Sequence, residues 1–139
     1  MNIGKKYRSH MKAETALTFT SKEVDYIKSQ HLARIATASK TGDPDVAPVG
    51  FDFDGTYFYV GGHVLTRTIK YKSVLANPKV SLVIDDLASV RPWTPRSLKI
   101  RGTADLVDRD HGYLGAAKYI RIRPIHKATI NINEPFRNR

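Results

Sequence analysis

The chain has 139 residues, enough for one domain with its own core, and its 41% hydrophobic and 26% charged residues suit a folded protein rather than a disordered one. Its 23 Lys and Arg against 13 acids leave a formal charge of +10, which points to an anionic partner. The absence of cysteine excludes disulfides, thiolate nucleophiles, iron–sulfur clusters and cysteinyl flavin attachment, and the five scattered histidines form no metal-ligand pair, so redox chemistry would need a noncovalent cofactor.

Residues 1–18 read as a basic arm or tail, 19–133 as the domain and 134–139 as a C-terminal tail. The start carries Lys5, Lys6, Arg8, His10 and Lys12, which leaves no room for the apolar centre of a secretory signal. No apolar run approaches the roughly 18 residues of a membrane helix. The expectation is a cytoplasmic protein with no membrane partner.

Phe19-Thr20-Ser21-Lys22-Glu23-Val24 has the form of a capping box with a hydrophobic staple, which predicts a short helix to about Gln30. Leu32 to Ala38 alternates as a strand, and a turn at residues 40–44 leads into a second strand from Val46 to Phe53. Asp54-Gly55 predicts a tight hairpin into Thr56–Val60. Gly61-Gly62-His63 then opens a segment holding Thr66, Arg67, Thr68, Lys70 and Lys72. Glycines admit a ligand close to the backbone, and hydroxyls with cations suit a phosphate. The same pattern also fits a strand end followed by a solvated basic helix.

Tyr71 to Ala76 reads as a helix end halted before Asn77-Pro78. Val80 to Ile84 reads as a buried strand ending at Asp85-Asp86, neighbours that face opposite ways and so suit salt bridges rather than joint acid–base work. Residues 91–96, with two prolines, read as irregular. Leu98 to Val107 resumes the strand pattern, a weak helix is expected from Asp108 to Tyr119, and a final strand is broken at Pro124. Many short strands predict a closed antiparallel barrel.

Taken in order, Leu32–Thr37, Val46–Phe51, Gly61-Gly62-His63, Thr68–Lys72, Asn77–Val80, Val83–Val90, Pro92–Arg96 and Ile100-Arg101-Gly102 resemble the pyridoxamine 5′-phosphate oxidase-like split-barrel superfamily, and within it the class of deazaflavin (coenzyme F420)-dependent oxidoreductases. The resemblance implies a mainly β fold: a homodimeric, six-stranded antiparallel split barrel of the FMN-binding type, with a few short helices and cofactor sites between subunits. It implies that Thr68 and Lys70 hold the cofactor phosphate, with Arg67 and Lys72 nearby, and that Gly62 and His63 lie close to the ring or ribityl chain. Pro48, Val49 and Gly50 would border the ring, and Trp93 and Arg96 would belong to the groove wall. The bland alternatives are a structural His63, a packing Trp93 and an edge-marking Pro48. One departure stands out: Ile130 and Asn131 occupy the place of the family's Trp-Gly pair, which puts substrate stacking in doubt.

The implied chemistry is hydride transfer to a small-molecule substrate, with Tyr57, Tyr59 or His63 as candidate proton donors. The charge of +10, with Lys5, Lys6, Arg8 and Arg121, suits the carboxylate tail of F420, which FMN lacks. FMN is the alternative cofactor. A non-enzymatic module binding nucleic acid or storing a flavin is the second alternative, and nucleic acid is disfavoured because the cations do not form one strip.

Overall fold

The computed structural model describes residues 17–134, so the basic arm and the C-terminal tail fall almost wholly outside the described residues. Helix α1 spans Ser21–Ser29. Strands β1 (Ala33–Ala38), β2 (Pro44–Val49), β3 (Asp52–Phe53) and β4 (Phe58–Val60) follow. A 3₁₀ turn at Leu65–Arg67 leads into α2 (Ile69–Ala76), and β5 (Lys79–Ser89), β6 (Thr94–Arg109) and β7 (Ala117–Ile130) complete the chain.

The capping box forms as its residues dictate: Thr20 Oγ1 accepts the Glu23 N–H at 3.1 Å, and Glu23 Oε1 accepts the Thr20 N–H at 2.9 Å. Glu23 is only 2% exposed, which is tolerable because Lys127 Nζ and Asn133 Nδ2 also donate to it, at 2.6 and 2.7 Å. Phe19 packs on the rings of Phe53 and Phe58, at centroid distances of 5.1 and 6.1 Å. The chain ahead of α1 is thereby fastened to the aromatic end of the core.

All strands are antiparallel, in the order β2-β1-β5-β6-β7-β4-β3. Alternation assigns the faces. Ile35, Val80, Leu82, Ile84, Leu98, Ile100, Ile120 and Ile122 point to one side and are at most 5% exposed, and Ile27 of α1 and Val74 of α2 pack into the same core. Their neighbours along each strand form an outer face.

Five expectations need correction. The sheet has seven strands rather than six and its ladder does not close: β2 and β3 are its two edges, consecutive in sequence but not paired with each other. Thr94, Pro95 and Arg96 are not irregular; they pair with Ser89, Leu87 and Asp86, because a proline is tolerated inside a sheet where, like Pro95, it lies near a strand start and beside a register shift. Residues 108–119 are not helical. Their apolar and polar residues continue the β6–β7 hairpin, and Gly115, at φ 75°, helps turn it. Pro124 does not break β7 but sits opposite Gly102 at a bulge, where the pairing passes from Arg101–His126 to Gly102–Pro124. A Cβ on Gly102 would lie 2.0 Å from the Arg123 carbonyl oxygen, so only glycine permits this approach. The Asp54-Gly55 turn is likewise longer than expected, closing from Phe53 to Phe58, with Asp54 Oδ1 accepting the N–H groups of Thr56 and Tyr57.

Candidate cofactor site

Strand β4 is wholly buried, so its end fixes the segment that follows. Gly61 donates its N–H to Tyr113 Oη at 2.8 Å, and Leu65, 4% exposed, pins the 3₁₀ turn to the core. Thr68 then starts α2: its hydroxyl accepts the Tyr71 N–H at 3.3 Å and donates to the Leu65 carbonyl at 2.6 Å. No acid lies in the first turn of α2, where Lys70 and Lys72 sit, so nothing there offsets the positive end of the helix. Arg67, Lys72 and His63 are exposed, beside the exposed apolar side chains of Val64 and Ile69. Lys70 is half-buried; burial holds its ammonium below the ordinary 10.5, and the carboxylate of Asp45 on β2 partly restores it.

The edge strand β2 approaches from the other side. Pro48 is exposed on the outer face, opposite Arg34 of β1, whereas Val49 is 6% exposed and gives its side chain to the core. An edge strand leaves one row of backbone N–H and C=O groups outside the ladder, available to a ligand. Gly50 lies under Tyr113; a Cβ there would be 2.8 Å from Cε2 of that ring. Tyr113 therefore ties the Pro48-Val49-Gly50 segment to Gly61-Gly62. Around Gly62 there is space, the nearest atom to a built Cβ being Leu65 Cα at 3.8 Å.

Two predicted residues lie apart from this assembly. Arg96 grips Asp86 with two hydrogen bonds, Nε to Oδ1 at 3.0 Å and Nη2 to Oδ2 at 2.5 Å, and Tyr26 of α1 donates to the same carboxylate at 2.8 Å. The Arg96 bond holds Asp86 below the usual carboxylate range, while burial and Asp86 push the Tyr26 phenol up. This clamp fastens α1 to β5 and β6. Trp93 stands at the β5–β6 turn with 68% of its surface exposed, outside the core. Asp85 pairs with Arg34 at 2.8 Å, so both acids of the Asp85-Asp86 pair serve salt bridges.

A second polar cluster went unforeseen. Arg109 lies 3.7 Å over the Tyr59 ring and 5.1 Å from the Tyr119 centroid, and pairs with Asp52 at 3.1 Å. Asp52 also accepts the Tyr113 N–H, at 2.9 Å. Among the candidate proton donors, Tyr59 gives its hydroxyl to Asp54 at 2.8 Å, and burial with that carboxylate raises its pKa. The alternation of Asp52 and Asp54 with the Tyr57-Tyr59 pair is the available signal in the sequence, but the helix expected from Asp108 to Tyr119 hides Arg109 as their partner.

The pyridoxamine 5′-phosphate oxidase family profile matches residues 19–132, nearly all of the described chain. The chain belongs to that family. A 5a,11a-dehydrotetracycline/5a,11a-dehydrooxytetracycline reductase of Streptomyces rimosus is 33% identical over 114 residues, covering 78% of this chain and 80% of the reductase. Among solved structures, an F420 reductase superposes with a TM-score of 0.56 at 24% identity, covering 70% of this chain and 89% of that one. A FAD-binding protein of Mesorhizobium loti gives 0.63 at 19%, covering 81% and 95%. These likenesses establish the pyridoxamine 5′-phosphate oxidase-like fold. Among the described residues of this family member, no helix is long and apolar enough to cross a membrane and no cluster of His, Cys, Asp or Glu could hold a metal.

Proposed function

We propose that this chain is a cytoplasmic, homodimeric reductase that binds the deazaflavin F420 noncovalently and reduces a small organic substrate. The observation that carries the reading is the start of α2, where an acid-free helix terminus is surrounded by Arg67, Lys70 and Lys72, next to the open backbone of Gly62. Likeness to a reductase across most of both chains supports the activity.

The residues fit a phosphate. Lys70 carries a charge that burial makes costly, so an anion beside it is favoured, and the positive end of the acid-free first turn of α2, in which Lys70 sits, favours the same charge. Thr68 has its hydroxyl engaged in capping and contributes chiefly by holding those N–H groups in place. The edge of β2 with exposed Pro48 supplies a flat, partly apolar border for a ring. When bound, the deazaflavin supplies or accepts the hydride. The protein's share is binding and orientation, with no side chain required as a nucleophile. FMN is the second reading, favoured by the likeness to a FAD-binding protein.

Fluorescence titration of the protein with F420 and with FMN, repeated in Lys70→Ala, tests this. Tighter binding of F420, weakened at least tenfold by the substitution, is expected. Preference for FMN moves the chain to the flavin reading, and binding of neither removes the cofactor site.

A further inference from the structure

Cations on the sheet follow a rule with one local exception. Arg34, Arg96, Arg109, Lys118, Arg121 and Lys127 each pair with an acid within 3.2 Å. Arg123 too is engaged. Among the described residues, the strand Lys, Arg and His side chains that remain without an ion pair or side-chain hydrogen bond are Lys79, Lys99, Arg101 and His126.

These four converge. Arg101 is the cross-strand partner of both Ser81 and His126, Lys79 is the partner of Thr103, and Lys99 and Thr103 flank Arg101 two residues away on β6. Register therefore places all four on the outer face, away from Val80, Leu82 and Ile100. Directly opposed side chains lie about 5 Å apart, so Arg101 stands against the His126 ring and Lys79 against the Thr103 hydroxyl, with no carboxylate opposite either. A cavity of about 410 Å³ opens beside three of them, Lys79, Arg101 and His126; Ser81 and Thr103 also line it, among small and apolar residues such as Ala36, Val80 and Ile125, and no acid does. It shares no residue with the Gly62–Lys72 segment. A face that pairs its other cations, yet gathers unpaired ones with hydroxyl donors around a hollow, is complementary to an anion.

We propose that this outer-face cavity is a second anion site, taking a compact oxyanion group of two or more negative charges, with Arg101 and Lys79 as its principal ligands and Ser81 and Thr103 as hydroxyl donors. The group is either a phosphate of a free metabolite or neighbouring carboxylates such as those of a deazaflavin tail. Only the second source rests on the proposed cofactor.

The test is titration of the full chain with inorganic pyrophosphate and, separately, with a γ-linked diglutamate, following the His126 ring resonances by NMR. Saturable shifts are expected with at least one probe, and the probe that produces them names the source. Arg101→Gln and Lys79→Gln, both exposed positions, should each weaken binding at least fivefold, whereas Lys70→Ala should leave it within twofold. Circular dichroism confirms that the variants fold, and Lys99→Gln provides a second charge removal should either misfold. Non-saturating shifts with both probes, insensitivity to all three Gln variants, or loss of binding in Lys70→Ala would each overturn the proposal.

Discussion

Two glycines that look alike in sequence should behave in opposite ways when given a methyl group. At Gly62 the new Cβ meets nothing closer than 3.8 Å, ordinary contact, so Gly62→Ala should change stability by no more than about 0.5 kcal/mol. At Gly50 it falls 2.8 Å from Tyr113 Cε2. That ring must move, at an overpacking cost of about 1–3 kcal/mol. Its displacement also loosens the 2.8 Å Gly61–Tyr113 hydrogen bond, worth about 1 kcal/mol more. Urea denaturation separates the two variants, and F420 titration then assigns their effects. Gly62→Ala is expected to fold as wild type yet bind at least tenfold more weakly, about 1.4 kcal/mol, because the methyl fills the approach to the backbone. Wild-type affinity in Gly62→Ala would refute the idea that a ligand passes close to this residue. Wild-type stability in Gly50→Ala would refute the Tyr113 tether.

Lys127→Ala removes the 2.6 Å partner of buried Glu23 while leaving the Thr20 and Asn133 donors, so a loss of about 2–3 kcal/mol in urea unfolding is expected. Burial alone would raise the Glu23 pKa, but the bonds from Lys127, Thr20 and Asn133 outweigh it and hold the carboxyl below 4.5. Its stabilisation is therefore complete above pH 4.5 and lost as pH falls through the lowered value, and in Lys127→Ala that loss should begin at higher pH; superimposable pH profiles would contradict this. Lys70 titrates in the other sense: burial lowers its pKa, so its charge is lost on the alkaline side before pH 10.5, and affinity for a phosphate-bearing cofactor should fall as pH rises into that window. Lys70→Arg should flatten the profile. Gly102→Ala, whose Cβ would sit 2.0 Å from a backbone oxygen, should cost about 3 kcal/mol or more, and a normally stable variant would count against the bulge.

Local chemistry was legible where one short segment decides it. The capping box at Thr20 and Glu23 and the stop of α2 before Asn77-Pro78 needed only neighbours in sequence, and both formed. Longer-range choices were not. Whether Thr94-Pro95-Arg96 is loop or strand depends on the register of β5, and whether residues 108–119 coil or extend depends on Ala117–Ile130 lying alongside. The same limit applied to the site. Cations around Thr68 announced themselves by composition, whereas Tyr113, which joins Gly50 to Gly61, lies 52 residues beyond its hydrogen-bond partner. The role of Arg96 was equally invisible, because the Tyr26 that shares Asp86 with it sits 70 residues earlier.

The outer face links the proposed dimer to the second anion site. It exposes Val46 at 67%, Leu87 at 40% and Ile130 at 54%, apolar side chains that register places on the same side as Lys79, Lys99, Arg101 and His126. Apolar surface of this kind favours a second copy of the chain, whereas unneutralised cations oppose bringing two such faces together. An oxyanion held by Arg101 and Lys79 would remove that opposition, so dimer affinity should rise with pyrophosphate and fall when it is dialysed away. Sedimentation velocity over a concentration series, with and without pyrophosphate, measures the shift directly. Arg101→Gln should reach the same dimer fraction only at about fivefold higher pyrophosphate, and Val46→Asp with Ile130→Asp should give a folded monomer under both conditions. A dimer indifferent to both the anion and the Val46 and Ile130 substitutions would have to be built on another face, and the outer sheet would then lose its part in assembly.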